Sequence, residues 1–359
     1  MRTILYILLM IPFIFCCSKD SLIMDNNNDN IKKVVRFSLK PITIGNAQTK
    51  AGVAVNESSV KNLWILQFNG TADESKLVKS LYFPDISDLN NIVIQLLAGI
   101  DQRVEFAANT FNSSLFDQTN SPLNNFTYSD FKSRKKQYSS EGDVFTGTSV
   151  KYLLLNGCYT GEIPNKNAAV PLLHNCAKVT LNYTSEDVSA YENGVRLKIT
   201  SVQTKNVPNE SSYKAINLNT TLTNPLSLIN YSQISGTNAG TGTGESYSIG
   251  GYNGYITFYI PENVAGINSY ANSQELKSQY APSTATYLEI KGEGIGNDGR
   301  LNEYLTFRLY LGNNNTDNFN VNINTHYTIN LTFRGVDIVD SRLDVQRVND
   351  VNGWVGEEW

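Results

Sequence analysis

Within "EYLTFRLYLG", Leu305, Phe307, Leu309 and Leu311 occupy every second position, and Thr306 and Arg308 fall between them. A repeat of two is that of a β-strand, whose successive side chains point to opposite faces, so the apolar row can be buried only as part of a sheet. The same rhythm returns in "AKVTLNY", "VRLKITSVQ", "GYITFYIPEN", "TYLEIKG", "HYTINLTFRG" and "SRLDVQRV". Such runs, separated by polar turns, predict an all-β chain and make a β-sandwich the economical architecture for the second half. The composition agrees, since 20 Tyr and 15 Phe against 3 Met favour strands over helices.

The first half alternates less cleanly. In "KKVVRFSLKPITI", Val35, Phe37 and Leu39 share one face and Arg36, Ser38 and Lys40 the other. "VKNLWILQFNG" is apolar on both faces, as a central strand covered on each side must be. "NNIVIQLLAG", "QRVEFAANT" and "KYLLLNGCYTGEI" read as further strands, and the unpatterned stretch from Ser114 to Gly142 as a short helix or long loop. Its basic run, Lys132 to Gln137, reads as a solvated loop. A chain of 359 residues exceeds what one core usually serves. With two prolines in "PNKNAAVPLLHN", Pro164 to Asn175, the expected division is into domains 31–170 and 171–359.

The N-terminus carries Arg2 and then an apolar run from Ile4 to Phe15, too short to cross a bilayer and suited to a cleavable export signal over residues 1–17. The run ends in "FCCSKD", which resembles the lipobox of bacterial lipoproteins, with Cys17 as acyl acceptor and Cys16 as the alternative. Ser18, Lys19 and Asp20 look like the charged signal that follows the acylated cysteine in surface lipoproteins of the Bacteroidales. Acyl chains contribute about 0.8 kcal/mol per buried methylene, so two or three of them hold a protein on a membrane. Residues 18–30 are polar and Asn-rich, as a tether would be.

Groups that could perform catalysis are sparse. A net charge of -4 with no long basic block recommends no nucleic-acid partner. The 2 histidines, His174 and His326, exclude a His-rich zinc site and read as structural. Gly294, Gly296 and Gly299 fit G-x-G-x-x-G, but an alternating strand follows where a phosphate-binding fold needs a helix, so they read as a hairpin loop. Glu289, Glu293, Asp298 and Glu303 form no substrate-shaped set, and neither Asp298 with Asn297 nor Asp317 with Asn315 matches a calcium loop. The expectation is no enzyme and no cofactor or metal. Cys158 and Cys176 could form one bridge in an exported protein or remain as two buried thiols.

"FYIPENVAG" (258–266), "RLYLGNNNTDNFNVNINTHYTINLTFRG" (308–335), the closing "LDVQRVNDVNGWVGEEW" and "SSVKNLWILQFNG" in the first half together resemble the Bacteroidales fimbrillin superfamily, the lipoprotein subunits of type V pili. The resemblance implies two transthyretin-like Greek-key sandwiches in tandem. It implies a surface lipoprotein of the outer membrane, incorporated into a fimbrium as stalk, tip or anchor. It further implies partners that are other subunits, with cell-surface receptors as adhesive targets. Assembly in the family is by protease-triggered strand exchange. A cut in the loop after the first strand releases that strand, and the C-terminal segment of a neighbour replaces it. Here the bond is Lys50-Ala51, with lysine where the family has arginine. Arg36 is an alternative site, expected to be shielded because it lies inside a strand-like run. The donor falls within 343–359, where Leu343 and Val345 carry an apolar rhythm and Trp354 and Trp359 supply anchors. That tail could equally be the last strand of its own domain. A different reading is a monomeric glycan-binding lipoprotein that uses Tyr252, Tyr255, Trp354 and Trp359 to stack on sugars.

Overall fold

The computed structural model describes residues 31–42, 57–117, 125–147, 150–163, 167–187, 189, 194–214, 227–238, 246–334, 336–337 and 345–350. Strands β1 (Lys32–Pro41), β2 (Leu63–Phe68), β3 (Leu77–Phe83), β4 (Ile92–Leu97) and β5 (Gly99–Ala108) come first. Helix α1 (Tyr128–Ser133) and the short strands β6 (Lys135–Gln137), β7 (Phe145–Thr146) and β8 (Tyr152–Leu153) follow, then β9 (Leu155–Ile163) and β10 (Ala168–His174). A seven-stranded sheet runs in the order β3-β2-β5-β9-β10-β1-β4.

This sheet folds over on itself. β9 and β10 pair only through Leu173 with Asn156 and His174 with Leu155, and beyond that corner they diverge. Gly157 permits the close approach there, since a Cβ would lie 2.6 Å from the carbonyl oxygen of Pro171. The folding brings Val35, Phe37 and Leu39 of β1 and Ile92, Ile94 and Leu96 of β4 against Ile65, Val104 and Phe106 on β2 and β5. The other face of β2 packs Trp64, Leu66 and Phe68 beneath Tyr128 and Phe131 of α1, so β2 is buried throughout. A Thr127–Asp130 capping box starts α1.

The second half supplies β11 (Cys176–Ser185), β12 (Gly194–Lys205), β13 (Val207–Pro208), β14 (Glu210–Ser212), β15 (Leu228–Ile229), β16 (Gly236–Asn238), β17 (Ser246–Ile249), β18 (Asn253–Pro261) and β19 (Asn263–Ile267). After α2 (Gln274–Lys277) come β20 (Tyr287–Gly296), β21 (Leu301–Tyr310), β22 (Asn318–Val321), β23 (His326–Phe333), β24 (Val336–Asp337) and β25 (Val345–Asp350). Two larger sheets result, ordered β16-β17-β18-β11-β23-β25 and β21-β20-β12-β24, beside the two-stranded pairs β13-β15 and β19-β22. Val179, Leu181, Phe258, Ile329 and Phe333 from the larger meet Leu197, Ile199, Leu288 and Ile290 from the smaller in one apolar cluster. The chain is all-β and sandwich-built, and the alternation of "YLTFRLYL" appears as inward Leu305, Phe307 and Leu309 with outward Thr306 and Arg308.

Two expectations change. "PNKNAAVPLLHN" is no bare connector. Its second half is β10, whose Pro171 interrupts no bond to β9 because β9 pairs only further along. The basic run is no solvated loop either, because it closes α1 and continues as β6, paired with β14. Tyr138, Val144, Phe145 and Leu153 beyond it enter the second apolar cluster.

Replacing Gly157 by alanine should destabilise the protein by about 1–3 kcal/mol, read as a lower urea midpoint at unchanged slope, because the backbone it meets cannot give way.

Candidate functional site

β1 lies inside its sheet although it is the first strand among the described residues. It pairs in parallel with β10 from Phe37 opposite Ala168 to Pro41 opposite Leu172, and antiparallel with β4 from Lys32 opposite Leu97 to Phe37 opposite Ile92. The main-chain N–H of Leu39 donates to Leu89 O at 2.7 Å and that of Ile42 to Leu172 O at 3.0 Å. Val35, Phe37 and Leu39 are all but inaccessible, and the Phe37 ring meets Phe106 edge-on at 5.1 Å and Tyr159 at 5.6 Å. Three such side chains are worth roughly 5–9 kcal/mol of burial before ordering costs. Arg36 sits in the middle of this strand with its residue paired to Val93.

The far wall of the slot has supports of its own. β4 pairs with β1 and with no other named strand, yet Gln67 on β2 grips its end. Gln67 Nε2 donates to Leu97 O at 2.7 Å, and the Leu97 N–H donates to Gln67 Oε1 at 2.9 Å. Lys79 Nζ donates to the Gln95 carbonyl. These side chains take the place of a strand ladder, so β4 is tied to β2 and β3 independently of β1.

Between β1 and β2 the described chain resumes at Glu57, which is held firmly. Its carboxylate accepts from Lys178 Nζ at 2.6 Å and from the Tyr259 hydroxyl, and its carbonyl oxygen lies 2.9 Å from His174 Nε2. The Lys178 and Glu57 side chains are only 4% and 11% exposed, so this ion pair is buried. Lys178 sits on the polar parity of β11, with Thr180 and Asn182, and no local pattern in the sequence marks it for burial. A second charged cluster, Glu105 with Arg103 at 3.4 Å and Lys214 at 3.0 Å, is likewise a product of the fold.

Of the residues expected to process or exchange, Cys16, Cys17, Lys50, Ala51, Leu343, Trp354 and Trp359 lie outside the described residues. Val345 opens β25, whose backbone pairs antiparallel with β23 from Phe333 opposite Val345 to Thr328 opposite Asp350. Residues 345–350 thus form the edge of the larger sheet of the second half.

The remaining reactive side chains are quiet. His326 Nε2 is 2.9 Å from the Thr180 hydroxyl, and burial, reinforced by the Lys178 charge, lowers its pKa to about 4. Burial also lowers the pKa of His174. Cys158 and Cys176 are free thiols, and burial pushes Cys158 up to about 12 and Cys176 higher still. Gly296 and Gly299 close the β20–β21 hairpin through Gly296 N–H to Arg300 O at 2.9 Å, and Gly299 has φ +79°. Glu289 is engaged by Lys205 of β12 and Lys291 of β20, and Glu293 by Lys198 of β12. Among the described residues no three His, Cys, Asp or Glu gather as metal ligands, and no helix is long and apolar enough to cross a membrane. Tyr252 is covered by the Arg196 guanidinium, 4.1 Å from its ring centre.

A domain of unknown function, DUF4906, matches residues 258–331. No curated protein matches the sequence. Among solved structures, the tip fimbrial protein Mfa3 of Porphyromonas gingivalis, truncated at its C-terminus, aligns at TM-score 0.51 and 13% identity over 88% of this chain and 99% of that one. A candidate cell adhesion protein of Parabacteroides distasonis aligns at 0.55 and 15% over 90% and 97%. Another, of Bacteroides eggerthii, aligns at 0.52 and 13% over 91% and 98%. At such identities the likeness is one of fold, and the chain shares the all-β architecture of these proteins.

Lys178→Met should destabilise the protein by about 3–5 kcal/mol in urea unfolding, since it strands a buried carboxylate. The lowered pKa of His326 means that the unfolded chain takes up its proton first as pH falls. Stability should therefore be full above about pH 6.5 and decline toward about pH 4. His326→Asn should flatten that decline, read as the urea midpoint against pH.

Proposed function

We propose that the chain is a structural or adhesive subunit of a type V fimbria, assembled by protease-triggered β-strand exchange, and that it has no enzymatic activity. One observation carries the reading: β1 is interior to its sheet, while the strand on its outer side is fastened by Gln67 and Lys79 rather than by β1 alone. A cut at Lys50-Ala51 would free β1 and leave a walled slot with unpaired main-chain groups and an apolar floor. A strand from another subunit would satisfy both, the mode of recognition known as β-augmentation. Glu57, anchored to Lys178 and Tyr259, would keep the new N-terminal end in place.

In this reading the first of the two domains extends past the expected boundary at 170 to the end of β10 at His174, the second takes the rest of 171–359, and the tail with Leu343, Val345, Trp354 and Trp359 is the donor. For β25 to be donated it must leave β23, trading one antiparallel ladder for the two that β1 vacates, one parallel and one antiparallel. Lipidation at Cys17, or at Cys16, places the precursor on the outer membrane before assembly, with surface receptors as adhesive targets. The neighbours that share the fold include a fimbrial tip protein, which supports the fimbrial setting.

Treating the signal-free protein with a protease that cuts after lysine should yield a new N-terminus at Ala51 and polymer ladders on unboiled gels. Lys50→Gln should abolish both. A product that begins at Ala51 yet stays monomeric with undiminished stability would sink the proposal.

A further inference from the structure

β10, β1 and β4 form one leaf of the folded-over sheet, and the side of it that carries Val35, Phe37 and Leu39 is buried. The opposite side is open. No residue of the outward parity on these strands is buried, and Val34 and Val93 stand 61% and 50% exposed. The register sets Arg36 beside Val93, Val34 beside Gln95, Ser38 beside Ala169 and Lys40 beside Pro171. Lys32, Arg36 and Lys40 are the only charged residues of that parity on the three strands, although the chain has a net charge of -4. At about 3.3 Å per residue their row is roughly 26 Å long. Arg36 meets no carboxylate among the described residues. Of the acids in the β3–β4 connection, Asp85 is paired with Lys61 and Asp88 accepts from the Asn90 N–H at 2.9 Å. A recess of about 410 Å³ on this side is lined by Arg36, Ser38, Asn90, Asn91 and Asn167: a guanidinium, a hydroxyl and three amides.

We infer that this outward face docks on an anionic lipid surface, with a headgroup phosphate seated in the recess against Arg36. The guanidinium fork matches two phosphate oxygens, and the amides and the Ser38 hydroxyl can donate to the others. Val34 and Val93, between the cations, are placed to reach among the headgroups, and such attachment scales with apolar area plus attraction to anionic lipid. Reach favours a membrane over a dissolved acidic polymer. Lys32 stands 15 residues beyond Cys17 in the sequence, and a flexible coil of that length spans roughly 20 Å. The choice of occupant therefore rests on the lipidation reading. Each cation near an anionic surface strengthens attachment about fivefold, so the three together contribute about a hundredfold. That is weak for a free protein and ample for one already held by a tether. All three cations belong to β1, the strand that a cut would free. Docking thus favours the state in which β1 is in place, and a subunit that loses β1 loses this hold on the membrane.

The test uses the signal-free chain, which carries no lipid, with Lys50→Gln to keep β1 in place. Acylation of Cys17 is read separately, from the mass of the N-terminal peptide of the cell-surface protein, so the two readings fail independently. In flotation at millimolar lipid, the chain should bind vesicles of equal parts phosphatidylglycerol and phosphatidylcholine, not vesicles of phosphatidylcholine alone, and high salt should release it. Lys32→Gln, Arg36→Gln and Lys40→Gln together should weaken binding about a hundredfold with an unchanged circular dichroism spectrum. Lys76→Gln, Lys198→Gln and Arg300→Gln together make the same change in net charge elsewhere and should leave binding as it was. Equal binding to both kinds of vesicle overturns the inference, as does a β1 triple variant that binds like its parent. Retention on heparin or polyglutamate without vesicle binding also overturns it, and gives the face to a dissolved acidic polymer.

Discussion

The main-chain ladders on either side of β1 are the constraint on which the first sheet depends. A strand at the beginning of a chain is usually an edge, where its loss would cost one ladder. Here it closes a gap between β10 and β4, and it lays Phe37 into the contact with Phe106 that joins the two folded-over leaves of the sheet. The parallel ladder to β10 cannot form until the chain has been laid down as far as His174, so closing this sheet is a long-range event. Long-range closure by a terminal strand is also what makes that strand separable, because its removal leaves every other ladder of the sheet intact.

Charge plays a second, quieter part. The molecule buries Glu57 with Lys178 and Glu105 with Arg103 and Lys214, and the Glu57–Lys178 and Glu105–Lys214 pairs join segments far apart in the chain. Burying a charge is tolerable only with a partner in good geometry, so each pair admits few alternative arrangements of the segments it joins. Lys135 with Glu210, and Asn175 Nδ2 donating to the carbonyls of Ser212 and Tyr213, extend the same polar stitching between the chain before Asn175 and the chain after it. The buried groups are committed to structure. Burial keeps both imidazoles neutral and both thiols protonated near neutral pH.

Much of this was legible in the sequence, and the reason is geometric. A period of two is a local property, and it identified β1, β11, β12, β18, β20, β21 and β23, and in β1 and β21 the inward rows too, down to Leu305, Phe307 and Leu309. Apolar residues on both faces marked β2 as a strand covered twice, and glycines followed by an alternating strand marked the β20–β21 hairpin. Where two prolines and a polar run suggested a connector, the sheet made a strand of β10, because the corner at Gly157 leaves room for a proline that a regular ladder would refuse.

Alternation tells which residues hide but not from what, and so the sequence by itself determined that this chain builds sheets and which rows of side chains they bury. Only the tertiary structure decided that β1 is interior, that Gln67 stands in for a strand beside β4, and that Lys178, on a polar face, is buried against Glu57. Those outcomes depend on which distant segments meet. The pairing energy of main-chain groups is nearly the same for any two strands, so the partner is chosen by side-chain packing and charge pairing that exist only once the sheets have closed.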